Sequence, residues 1–189
     1  MLTEERKKRI SLEAGSCAIG YIMIEDGHCL IEDETGDLFL PESINGLIWM
    51  NTGAAWAEGT LCGSKHEFQM KDKIIKLKGG EEISYPLNLF KPLEELLEQL
   101  NDRQFELLLR ELNRLGFSLF DCVYSFHPLS YSSLKKESDF SGAGFFQFAN
   151  DISHCSLQHH FKRGEFTSDR FEFTLSSGER SLLMEAEQK

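Results

Sequence analysis

Ser153-His154-Cys155-Ser156-Leu157-Gln158-His159-His160-Phe161 admits two backbones, and the choice between them decides the fold of the C-terminal half. Alternation favours a strand: Cys155, Leu157, His159 and Phe161 share one face, while His154, Ser156, Gln158 and His160 share the other. A helix would make Cys155 and His159 i, i+4 neighbours and gather four ligand-type side chains on one or two turns. The apolar continuation through Leu157 and Phe161 selects the strand. At a rise of about 3.3 Å per residue, His154 and His160 then stand about 20 Å apart, and Cys155 and His159 about 13 Å. Zinc bonds are about 2.0–2.3 Å long, so no two of these side chains can share an ion locally. Metal ligation by His154, Cys155, His159 or His160, with His127 as a distant fifth candidate, is therefore disfavoured, and no cofactor is expected.

Strand signals surround this segment. Gly144 to Ala149, Asp169 to Leu175 and Arg180 to Met184 have β-compatible patterns, and Ser176-Ser177-Gly178-Glu179 supplies a hairpin turn between the last two. Phe171, Phe173 and Leu175 lie on one face, as a core-facing strand requires. Phe117 to Phe126 alternates loosely, His127-Pro128 ends it, and the serine-rich residues 129–141 resemble a loop.

The helical segment lies upstream. Pro92 occupies a first-turn position, and Leu93, Leu96, Leu97 and Leu100 follow at i, i+3, i+4, i+7. Asn101 and Gln104 have capping-box spacing. Phe105, Leu108, Leu109, Leu112 and Leu115 continue the apolar stripe to Gly116, so residues 92–115 form either a kinked helix or an abutting pair.

Residues 15–88 read as short strands: Cys17–Ile24, an Asp26-Gly27 turn, His28–Glu32, Leu38–Leu40, then Lys65–Met70, Lys73–Lys78 and Ile83–Tyr85. Residues 44–63, rich in Gly, Ala and Trp, give no clear pattern. Short strands at this spacing suit a small barrel or sandwich and allow an SH3-like architecture, though no family motif accompanies it. Residues 3–14 fit a short helix capped by Thr3. The expected fold class is α+β and mainly antiparallel: an N-terminal barrel-like or sandwich domain over 1–88, and an α+β domain over 89–189 in which the helical pair precedes an antiparallel sheet.

Charge narrows the function. The net charge is −11, and acidic residues outnumber basic ones 15 to 9 over 1–90, 6 to 4 over 91–116 and 10 to 7 over 117–189. Nucleic acid is a disfavoured partner, because neutralising phosphate needs a cationic surface. A helix-turn-helix with Arg103, Arg110 and Arg114 fails on its interleaved glutamates. No apolar stretch is long enough to span a bilayer, and no apolar segment follows the basic cluster Arg6–Arg9. Five scattered cysteines without a CxxC pair suit reduced thiols, so a cytoplasmic location is expected.

No motif for known chemistry survives inspection. Gly59–Lys65 has the wrong spacing for a phosphate loop, Gly142-Ala143-Gly144 lacks the third glycine of a dinucleotide site, and Leu38 stands where a calcium loop following Glu32–Asp37 needs glycine. The sequence thus points to a non-catalytic interaction or regulatory module acting on a protein partner or on itself. The alternative is a small-molecule-binding protein or enzyme whose site joins His127, Cys155 and His159 from distant strands.

Overall fold

The computed structural model describes residues 1–44, 46–128 and 140–188, and the chain is α+β with two antiparallel sheets. Two compact units form: Gly15–Asn88, and Met1–Ala14 together with the chain from Leu89 onward.

Gly15–Asn88 builds a curled sheet. Its strands are β1 (Cys17–Glu25), β2 (His28–Asp33), β3 (Leu38–Phe39), β4 (Ile48–Asn51), β5 (Trp56–Cys62), β6 (Glu67–Gln69), β7 (Ile74–Lys76) and β8 (Glu82–Pro86), ordered β3-β2-β1-β8-β4-β5-β6-β7. Asp26 and Gly27 both adopt positive φ, so the two-residue turn matches the twist of the β1–β2 hairpin. One face of the sheet encloses Ile22, Ile31, Ile48, Met50, Phe68 and Ile83. His66, just before β6, hydrogen-bonds through Nε2 to the carbonyl of Gly27 at 2.8 Å, so the far part of the sheet curls back to the first hairpin.

Strands β4 and β5 occupy the stretch that showed no pattern. Gly59 explains the silence: a Cβ there would lie 2.5 Å from the Gln69 carbonyl oxygen and 2.7 Å from the Phe68 ring. Close packing demands glycine on the core face, where alternation would lead one to look for a large apolar residue.

The second unit combines three helices with a five-stranded meander, and buried residues of both share one core. The helices are α1 (Glu4–Ile10), α2 (Lys91–Gln99) and α3 (Asp102–Arg114). The strands, β9 (Cys122–Phe126), β10 (Phe140–Ala149), β11 (His154–Arg163), β12 (Phe166–Leu175) and β13 (Arg180–Gln188), run in the order β13-β12-β11-β10-β9. The helical segment breaks at Leu100–Asn101, where the Asn101–Gln104 capping box starts α3. Leu93, Leu96, Leu97, Leu108, Leu109 and Leu112 are completely buried in the core that holds Phe146, Phe148, Leu157 and Phe173. Of the serine-rich stretch, residues 129–139 lie outside the described residues, while Phe140 and Ser141 already belong to β10.

Residues 1–14 correct the boundary drawn from chain order. Arg6 donates to the carbonyls of Leu97 (2.6 Å) and Leu100 (2.8 Å) and bridges Asp102 at 2.7 Å. Those carbonyls end α2 without helical partners, so a cation there satisfies two orphan acceptors and the helix dipole together. Leu2 and Ile10 are buried in the same core. The first helix therefore belongs with the C-terminal unit, and the N-terminal unit starts at Gly15 rather than Met1.

Candidate functional site

β11 is extended, and its alternation separates the ligand-type residues. Cys155, Leu157, His159 and Phe161 face the helices and are buried, whereas His154 and His160 face away from the core. No group of three or more metal-ligating side chains forms among the described residues. Cys155 lies in apolar packing, and burial pushes its thiol pKa up to about 11; burial does the same to Cys122. Neither is an activated thiolate.

His127 and His159 do meet. His127 follows β9 and reaches across β10 to β11, where its Nε2 lies 2.7 Å from His159 Nδ1. His159 Nε2 lies 2.7 Å from Asp169 Oδ1 on β12. Arg163 donates to the same carboxylate at 2.7 Å, and Gln104 Nε2 donates to Oδ2 at 3.0 Å. Because the carboxylate only accepts, His159 carries its proton on Nε2 and accepts at Nδ1, and His127 donates from Nε2. The row is directional: His127 to His159 to Asp169.

Burial sets its electrostatics. His127 and Asp169 are 2% exposed and His159 0%. Loss of hydration lowers the His127 pKa from 6.5 to about 3, reinforced by His159 and Arg163. Burial also holds His159 low, against the raising effect of Asp169. Burial alone would raise Asp169, but the bonds from His159 and Arg163 hold it below the usual carboxylate value. Two neutral imidazoles thus flank one ion pair, an arrangement that satisfies every polar atom it names.

Gln104 has two tasks. Its Oε1 accepts from the Asn101 amide at 3.1 Å, closing the capping box, while its Nε2 reaches the sheet. Phe171 stacks on His159 at 4.4 Å and 11°, and Phe161 on His127 at 5.2 Å and 26°. The glycines of Gly142-Ala143-Gly144 seat these rings. A Cβ on Gly144 would fall 2.0 Å from His127 Cδ2, and one on Gly142 2.8 Å from the Phe161 ring. Gly144→Ala is expected to lower stability by about 3 kcal/mol, the upper part of the overpacking range, in chemical denaturation. A loss below about 0.5 kcal/mol would mean His127 is not seated there.

Of the three residues that a Cys/His site would need, His127 and His159 converge and Cys155 does not. Among the described residues both imidazoles are buried against Phe146, Phe161 and Phe171, while Phe161 and Asp169 help line a depression of about 390 Å³. Asp169, Arg163 and Gln104 complete the cluster and were not anticipated from sequence. The acidic turn also satisfies itself: Asp33 Oδ1 accepts from the amides of Thr35 (2.8 Å) and Asp37 (3.0 Å).

No solved structure matches the chain. It is 36% identical to "Uncharacterized protein YisN" of Bacillus subtilis (strain 168), over 98% of this chain and 94% of that protein. The model of "Protein of unknown function (DUF2777)" matches residues 4–185, and so takes in both units and every member of the buried histidine row. The chain belongs to the DUF2777 family.

Proposed function

We propose that the chain is a non-catalytic protein that acts by protein–protein contact, and that the contact is self-association through the solvent face of the five-stranded sheet. The carrying observation is where the sheet leaves apolar side chains exposed. Tyr124, Phe126 and Phe145 are exposed on β9 and β10, and Leu182 and Met184 on β13. The ladder sets Phe126, Phe145, Gln158, Glu172 and Leu182 in one row across the strands. Gln158, Arg170, Glu172, Arg180 and Leu182 line a depression of about 400 Å³ on this face.

Aromatic side chains at one edge and aliphatic ones at the other make the face complementary to its own two-fold copy. An axis along β11 sets the β9–β10 edge of each copy over the β12–β13 edge of the other, so Phe126 faces Leu182 and the depression receives an aromatic ring. Burial of both imidazoles supports the non-catalytic part of the reading, since general acid–base work needs a group within reach of substrate.

Sedimentation equilibrium tests it. Wild type should dimerise at micromolar concentration, and Phe145→Glu with Leu182→Glu should be monomeric with unchanged circular dichroism. A wild type that stays monomeric at about 100 µM overturns the proposal.

A further inference from the structure

The curled-sheet unit carries a second exposed face of different character. No lysine or arginine occurs from residue 10 to residue 64, and over residues 15–88 five lysines stand against twelve carboxylates. All five lysines lie between residues 65 and 78, around β6 and β7, so β1, β2, β4, β5 and β8 carry no cationic lysine or arginine.

The side of these strands facing away from the core is aromatic and acidic. Tyr21 pairs with Glu32 on β2 and Glu82 on β8, Trp49 with Ser84 on β8 and Glu58 on β5, and Trp56 with Asn51 on β4. Tyr21 is 42% and Trp56 46% exposed, and Trp49 is half-buried, though none of the three belongs to the core. Asn51 Nδ2 donates to Glu82 at 2.7 Å and holds that carboxylate on the face. Trp49 and Trp56 are diagonal neighbours on paired strands, about 7–8 Å apart. An extended peptide presents same-side residues every ~7 Å, matching that interval.

We infer that this face binds an extended basic segment of a partner protein, taking alternate arginine or lysine side chains over Trp49, Trp56 and Tyr21, between Glu32, Glu58 and Glu82. Aromatic faces attract cations through the ring quadrupole, arginine most readily, and flanking carboxylates add charge. The same carboxylates repel phosphate and select against nucleic acid. This inference is independent of association through the five-stranded sheet, because the faces share no residue.

The chain's only two tryptophans both lie here, so their fluorescence reports occupancy directly. The full-length protein is titrated with a fluorescein-labelled nine-residue peptide of alternating arginine and serine, a glutamate–serine counterpart and an oligothymidylate. The arginine peptide should give a saturable tryptophan change and a rise in anisotropy that weakens with salt, while the other two probes give neither. By anisotropy, Trp49→Ala should weaken binding about tenfold, and Glu58→Gln with Glu82→Gln by a similar factor. These side chains lie outside the core, so both variants should retain the wild-type urea transition. No response to the arginine peptide, equal response to the glutamate peptide or oligothymidylate, or unchanged affinity in either variant overturns the inference. The monomeric Phe145→Glu, Leu182→Glu variant should bind the peptide like wild type, which separates this result from that of the dimer.

Discussion

Asp169→Ala is expected to destabilise the helix-and-sheet unit by about 3–5 kcal/mol, the range for breaking a buried ion pair by removing one partner. The carboxylate is where three donors converge: His159 Nε2 and Arg163 on Oδ1, and Gln104 Nε2 on Oδ2. Alanine leaves the His159 and Gln104 donors buried without an acceptor and Arg163 without its counter-charge. Asp169→Asn should lose less, because it keeps one acceptor oxygen, but its amide must oppose one of the three donors. Both variants are measured by urea unfolding with two probes. The described α-helices all lie in this unit, so α-helical circular dichroism follows it; both tryptophans lie in Gly15–Asn88, so fluorescence follows the other. The dichroism transition should shift and the fluorescence transition hardly move. A shift below about 1 kcal/mol for Asp169→Ala would show that the row contributes little to holding α3 on the sheet.

Much of the frame was legible because it rests on local pattern. The leucine spacing and the Asn101–Gln104 box located both helices and the break between them, and alternation in 155–161 gave the strand that disperses its own ligand-type residues. The His127–His159 contact was not legible, since it depends on how β9, β10 and β11 align, and no spacing within one segment encodes that. Two patterns nonetheless carried a signal. Asp169 shares the alternation of Phe171, Phe173 and Leu175, and a carboxylate on a core-facing row must find buried donors. Gly142 and Gly144 share the alternation of Phe146 and Phe148, and missing side chains on such a row leave room for rings from elsewhere. Both patterns mark where a buried polar cluster sits without naming its other members. The grouping of α1 with the second unit was hidden for a similar reason: Arg6 reads as one of four surface cations until the carbonyls ending α2 are placed beside it.

Acid should destabilise the same unit well above the range where ordinary carboxylates titrate. His127 has an ordinary pKa of 6.5 in the unfolded chain and about 3 in the fold, so between those values the unfolded state binds the extra proton. Stability from this depression is complete above pH 6.5 and is lost as pH falls toward 3. At pH 4 the loss from His127 alone is about 3 kcal/mol. His159, also depressed by burial, acts in the same direction. Asp169, held low by its donors, adds a further loss only when pH falls below the usual carboxylate range. The chain's net charge of −11 works the other way, since neutralising surface carboxylates relieves repulsion as pH drops toward the isoelectric point near 5.0. The histidine contribution is isolated by His127→Gln, whose side-chain amide can still donate to His159 Nδ1 but does not titrate. The variant should start less stable at pH 7, because it loses the ring stacked against Phe161, and its stability should fall less steeply from pH 7 to pH 4, by about 3 kcal/mol over the interval. Urea midpoints from helical dichroism at each pH give both slopes. Parallel slopes would mean that His127 is already protonated in the fold or remains hydrated there, and neither condition is compatible with a neutral donor sealed between Phe146, Phe161 and His159.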